Sequence, residues 1–220
     1  MRELLKRVAH GLAWIAVTPS VWSFSLRATV LGRDRALEGS TQAWALVPGV
    51  LGQYLRRGFL SRTLRSCART ATIEFGTLFS SASASIGERA YIGPRCHIGW
   101  AIIEDDALLA AGVHVPSGSR THGIDDLSIP IRDQPTAKTA VRIGRGSWIG
   151  SAAIVMADVG RDTVIAAGAV VTKPIPDGTI AGGVPARVLR ARESDRPRLA
   201  LAHRPVRRSP DEVGSLGVGG

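Results

Sequence analysis

Cysteine is scarce in this 220-residue chain: there are two, Cys67 and Cys96, with no CxxC spacing. No pairing pattern is present, and two lone thiols fit a reducing compartment. Aromatic residues are scarce as well. Six of the 11 (Trp14, Trp22, Phe24, Trp44, Tyr54, Phe59) fall in the first 60 positions, so the rest of the chain must build its core from aliphatic and small side chains. Acidic residues number 18 against 28 Lys plus Arg, a net charge of +10. An apolar share of 45% with 21% charged residues excludes general disorder, and 25 Gly without a G-X-Y period exclude collagen.

The charge is unevenly placed. Residues 1–70 carry 11 basic and 3 acidic groups, residues 71–186 carry 9 and 11, and residues 187–220 carry 8 and 4. A nucleic-acid protein shows its basic stripe on the folded body, whereas this body is slightly acidic, so no nucleic-acid partner is expected. Residues 8–26 form a long run without Asp, Glu, Lys or Arg, flanked by Arg2, Lys6 and Arg7 on one side and Arg27 on the other. The length suits a membrane span, but Pro19 interrupts it and His10, Thr18, Ser20, Ser23 and Ser25 are poorly soluble in hydrocarbon. Trp14, Trp22 and the basic flanks suit an interfacial helix. A helix on a membrane surface, a span, and a helix packed on the body or a neighbouring subunit all remain open. Cleavage of a leader is discounted, because Arg33, Asp34 and Arg35 separate the run from Ala43-Trp44-Ala45. A loop around Val47-Pro48-Gly49 then leads into a short basic helix at 53–69. Its Arg56, Arg57, Arg62, Arg65 and Arg69 read as a solvated face or as a contact for acidic lipid.

From Ile73 the pattern changes. Aliphatic residues recur at Ile86, Ile92 and Ile98, then at Ile103, Leu109 and Val115, and again at Ile143, Ile149, Val155, Ile165 and Val171. The dominant spacing is six, which neither a strand nor a helix produces. Gly follows at 87, 93, 99, 144 and 150, and a small residue sits four after the aliphatic one: Ala90, Cys96, Ala107, Val113, Ser147, Ala153, Ala169. This is the hexapeptide repeat of a parallel β-helix: the aliphatic residue points into a triangular prism, the small residue fills the corner, and Gly permits the bend. Roughly five coils are expected, broken by a loop at 117–140. The residue missing before Ile103 and the two missing between Ile149 and Ile165 predict tightened corners.

The chain resembles the hexapeptide-repeat acyltransferase superfamily over residues 86–190. Three segments carry the resemblance beyond the repeat: Ser119-Arg120-Thr121-His122-Gly123-Ile124-Asp125-Asp126, the stretch VRIGRGSWIGS at 141–151, and Val170-Val171-Thr172-Lys173-Pro174 followed by AGGVPARVLR at 181–190. The resemblance implies a mainly β fold, a left-handed parallel β-helix with an N-terminal helical segment; the left hand runs against the usual crossover rule and comes from the resemblance alone. The implied organisation is a helical segment at 1–70, the acyltransferase prism at 71–186, and a basic, partly disordered tail at 187–220. The implied partners are acetyl-CoA as co-substrate, a sugar or glycan acceptor, and two further copies of the chain in a homotrimer. Cell-envelope polysaccharide biosynthesis, in the cytoplasm or at the inner membrane face, is the implied setting.

An alcohol loses a proton as it attacks a thioester, and neutral imidazole suits that task near pH 7. His122 is the candidate base. Asp125 or Asp126 would orient it, hold the acceptor, or simply cap a turn. By resemblance Ser151 faces the oxyanion through its amide or hydroxyl. Trp148 and Gly150 line the thioester, Ala167 and Gly168 meet the pantetheine arm, and Thr172, Lys173, Arg187 and Arg190 meet nucleotide phosphates. Gly112 stands where sugar acetyltransferases have an acceptor-touching Asn, and Gly123 stands where they have Pro, so acceptor recognition does not transfer. His97 and His114 lie 17 apart and are expected to stack on one face as prism-edge residues, with no metal. An antibiotic O-acetyltransferase and a non-catalytic trimeric scaffold are the other readings.

Overall fold

The computed structural model describes residues 2–192, with side chains from Val8 onward. Four helices come first: α1 (Arg2–Ala16), α2 (Thr18–Leu31), α3 (Arg33–Ala45) and α4 (Gly49–Thr63). The charge-free run is therefore two helices. The chain breaks at Val17 and restarts with Pro19 in the first turn of α2, where a missing N–H costs nothing. No helix among the described residues is long and apolar enough to cross a membrane. Val17, Val21 and Phe24 are buried against Leu37, Phe59 and Leu60, so part of this run packs on the body. The opposite side leaves Leu12, Ile15, Trp22, Leu26 and Val30 exposed.

The basic helix corrects the sequence expectation. Arg56 and Arg57 are only 2% and 8% exposed. Arg56 donates to the carbonyls of Ile73, Val47 and Trp44 at 2.9, 2.6 and 3.2 Å, and Arg57 donates to Ala71 at 2.7 Å. A guanidinium has five N–H donors in a fixed fork, so it can close several carbonyls that helix ends and loop corners leave open. Burial lowers both pKa values from the ordinary arginine value. Arg62 lies 4.2 Å from the centre of the Trp14 ring, tying α4 to α1.

The prism has three faces. Face A contains Ser66–Cys67, Ser85–Ile86, Ala101–Ile103 and Val141–Ile143. Face B contains Thr72–Ile73, Tyr91–Ile92, Leu108–Leu109, Trp148–Ile149, Val164–Ile165 and Thr179–Gly183, closed by the antiparallel Ala186–Ala191. Face C contains Leu78–Phe79, His97–Ile98, His114–Val115, Ile154–Val155 and Val170–Val171. All other pairings are parallel, and the second residue of each short pair points inward. Arg187 and Arg190 thus belong to a strand, while the remainder of the expected tail lies beyond the described residues.

The inward positions are buried, apart from the half-buried Cys67 of the first turn, and each aliphatic one contributes roughly 1.5 to 3 kcal/mol. They include Ile73, Phe79, Val159 and Ile175, which extend the count to about six turns. Spacing is six from face A to B and from B to C at every turn. Every departure falls at the corner from C to A: Phe79 to Ile86, Ile98 to Ile103, Val155 to Val159, and Val171 to Ile175. The 117–140 loop leaves from that same corner. The expected tightened corners are therefore one corner, repeated.

The predicted small positions are buried, and Cys96 is among them. Where that position is polar, its hydroxyl reaches the next coil: Ser147 Oγ donates to the Gly160 carbonyl at 2.6 Å and accepts from the Thr163 amide at 3.1 Å. Burial pushes the Cys96 thiol up to about 11 and Cys67 up to about 12, so neither is a nucleophile near neutrality. The glycines after the aliphatic residues serve a purpose other than the expected bend. A Cβ on Gly93 would lie 2.7 Å from the Ala110 carbonyl carbon, and one on Gly144 2.5 Å from the Arg161 amide nitrogen. They admit the next coil. The left-handed bend falls two residues later, at Arg89, Arg95, Asp106, Gly112, Gly146, Ala152, Asp162 and Gly168.

Candidate functional site

A cleft of about 640 Å³ opens beside face C. Its floor is His97, Gly99, His114 and Val115; the loop contributes Thr121, His122 and Lys138; and α3 contributes Asp34, Arg35 and Glu38. His122 is exposed in the loop, as expected of a base that must meet an outside molecule.

The loop is held by its own returns. The Gly123 amide donates to the Pro135 carbonyl at 2.8 Å, Ala137 to Arg120 at 3.2 Å, and Thr139 to Ser117 at 3.0 Å. Buried Gln134 donates to the Asp126 carbonyl at 2.6 Å. A Cβ on Gly123 would meet Gln134 Cβ and the Pro135 oxygen at 3.1 Å, which favours a small residue after His122. Asp126 is a turn cap: its carboxylate accepts from the Ser128 amide and hydroxyl at 2.8 and 2.6 Å, which lower its pKa. Asp125 is exposed and makes no hydrogen bond or ion pair among the described residues, so no bond joins it to His122.

Asp34 organises the far wall. One oxygen accepts from the Ala82 amide at 2.9 Å and the other pairs with Lys138 at 3.4 Å, which links α3, the prism and the loop. This wall was missed from sequence. Nothing in residues 33–38 marks them as facing a loop a hundred positions later.

The remaining candidates lie on other edges. Trp148 stands on face B, 51% exposed, with Gly150 and Ser151 at the corner that follows. Ala167 and Gly168 lie on the adjacent coil: the Gly168 amide donates to the Ser151 carbonyl at 2.8 Å. A Cβ on Gly168 would meet nothing within 4 Å, so this corner is open. The Ser151 amide donates to no acceptor among the described residues. Arg187 and Arg190 extend the same face. Thr172 and Lys173 follow Val171 at the corner from C to A, on the loop's edge of the prism. The structure thus gathers Trp148, Gly150, Ser151, Ala167 and Gly168, and sets His122 apart in a cleft that Ser151 does not line.

His97 and His114 stack as expected. They are partners on face C, with His97 Nδ1 and His114 Nε2 3.0 Å apart and ring centres 4.8 Å apart. Among the described residues, no three His, Cys, Asp or Glu side chains are grouped to hold a metal ion.

A prism of hexapeptide coils defines a class of fold, and comparison with known proteins bears that fold out. The family model described as the hexapeptide repeat of succinyl-transferase matches residues 83–116 and 140–173. A probable acetyltransferase, Rv3034c, of Mycobacterium tuberculosis is 43% identical over 74 residues, 33% of this chain. The chain spans 25% of that relative's own length. Among solved structures, a maltose O-acetyltransferase from Clostridium difficile superposes with a TM-score of 0.63 over 73% of this chain and 87% of that one, at 23% identity. A galactoside acetyltransferase in complex with coenzyme A gives 0.58 over 73% and 80%, at 21% identity. The chain carries hexapeptide repeats over residues 83–116 and 140–173 and shares the β-helix fold of these two structures.

Proposed function

We propose that the protein is an acyl-CoA-dependent O-acyltransferase that moves an acetyl group to a sugar hydroxyl. The observation that carries this reading is an exposed histidine, in the loop that breaks the coil, lining a polar cleft large enough for a sugar ring. Relatives named as acetyltransferases and a like-folded neighbour solved with coenzyme A support it.

In the proposed reaction the acceptor hydroxyl sits in the cleft and His122 takes its proton as oxygen attacks the thioester carbonyl. Negative charge develops on that carbonyl oxygen and is met by the Ser151 amide, which has no competing acceptor. The sulfur leaves with the acyl carbon bond broken, and the proton on His122 returns to it. Trp148 and the open corner at Gly168 flank the thioester arm, Arg187 and Arg190 on the same face supply cations for its phosphates, and Lys173, on the loop's edge, supplies one from the neighbouring copy.

His122 and Ser151 occupy different edges of one prism, so the reading requires a second copy. In a homotrimer, the loop edge of one chain faces the Trp148 edge of the next, and three equivalent sites close by symmetry. The exposed Ile124, Leu127 and Ile131 on the loop are suited to that boundary. The apolar side of α1 and α2, with Trp14 and Trp22, is suited to rest on a lipid surface where glycan precursors are handled.

Replacing His122 by Ala should lower turnover with acetyl-CoA by roughly 10² to 10⁴-fold while coenzyme A still binds. Unchanged turnover in that variant would sink the assignment.

A further inference from the structure

The His97–His114 pair has no role in the proton transfer described above, yet both rings line the cleft that receives the acceptor. Proton bookkeeping shows what it offers there. Each neutral imidazole carries one ring proton. When two rings share one N–H···N bond, one of the two protons lies in that bond and the other on an outer nitrogen. Whichever tautomers are adopted, His97 Nε2 and His114 Nδ1 together present one donor and one acceptor. That is the complement of a hydroxyl. A third proton makes both outer nitrogens donors and adds a positive charge, which is the complement of a carboxylate.

The surroundings give this change weight. The charged groups facing the pair are Asp34, Arg35 and Glu38 from α3 and Lys138 from the loop, with His122 also titratable; on face C the pair is flanked by Leu78 and Ile154. Two acids and two bases cancel, so the proton on the pair decides the sign of the cleft. Burial, and then the charge of His97, lower the His114 pKa from its ordinary value.

We propose that the His97–His114 pair is the specificity element of the acceptor site: neutral, it selects an uncharged hydroxyl-bearing acceptor, and with an added proton it selects one whose hydroxyl lies beside a carboxylate. This rests on the cleft being the acceptor site.

The test is calorimetric titration of the full chain, without any thioester, using methyl glucoside and methyl glucuronoside as probes. From about pH 8 to about pH 5.5, the glucuronoside-to-glucoside affinity ratio should rise roughly tenfold in the wild type. The double variant His97→Gln/His114→Gln has no ionisable ring in the pair yet still presents amide donors and acceptors, so it should hold the glucoside within about threefold and flatten the ratio. His114→Leu should weaken both sugars. The same slope should persist in His122→Ala, which removes the other titrating ring. A flat ratio in the wild type, an equal slope in His97→Gln/His114→Gln, or no binding of either sugar overturns the proposal. A parallel assay with acetyl-CoA separates the two readings: no transfer with the pH-dependent ratio intact removes the enzymatic reading alone, and transfer with a flat ratio removes the pair alone.

Discussion

The helical head and the prism solve the burial problem differently. In the prism one solution is repeated: an aliphatic residue inside, a glycine where the next coil presses close, a small residue at the corner. In the head every contact is made once. Arg56 and Arg57 reach prism and loop carbonyls, Arg33 donates to the Thr63 carbonyl at 2.9 Å, and Thr41 donates to Phe79 at 3.3 Å. The head is joined to the prism by polar stitches over a shared apolar core, and the prism is joined to itself by register.

The largest expected effect tests the prism. Ile149→Ala empties an inward position in the middle of face B and should cost about 2 to 5 kcal/mol in denaturant unfolding, with both neighbouring coils losing a packing partner. Next comes the head: Arg56→Ala strands three carbonyls and should cost about 3 kcal/mol. A loss as small as that of an exposed arginine would show that the stitches are incidental. Ser147→Ala removes a hydroxyl between two coils and should cost about 1 to 2 kcal/mol, read from the shift in urea midpoint at constant slope. Trp22→Ser should change stability by less than about 0.5 kcal/mol, since the ring is exposed, yet reduce flotation with anionic vesicles. Flotation equal to wild type would remove the lipid surface as partner of the head.

The prism was legible because its signal is periodic. Ile86 through Val115 and Ile143 through Val155 stand at intervals that no other fold asks for, and the corner residues four positions on were readable with them. Val159 and Ile175 escaped because the spacing drops to four before each. Cys67 and Phe79 escaped because the first turn uses unlike residues at its inward positions. The position of His122 in the loop was legible through the resemblance, and the stacking of His97 on His114 followed from a separation of 17. The α3 wall was not, because which helix face meets the loop is decided by tertiary packing. Arg56 and Arg57 misled for the same reason: burial of an arginine depends on carbonyls supplied from elsewhere, and no pattern in 53–69 records them.

The corner from C to A has a consequence for how such a molecule changes over time. Two of its edges are kept to a fixed count, so an inserted or deleted residue there would turn every later side chain to the wrong side. The third edge already takes in three different lengths between Phe79 and Ile175, and the entire loop with His122 besides. That edge is a seam at which sequence can be let out or taken in while the weave on either side stays aligned. New cleft-facing segments can be tried there one coil at a time, leaving the opposite edge with Trp148 and Ser151 as it was.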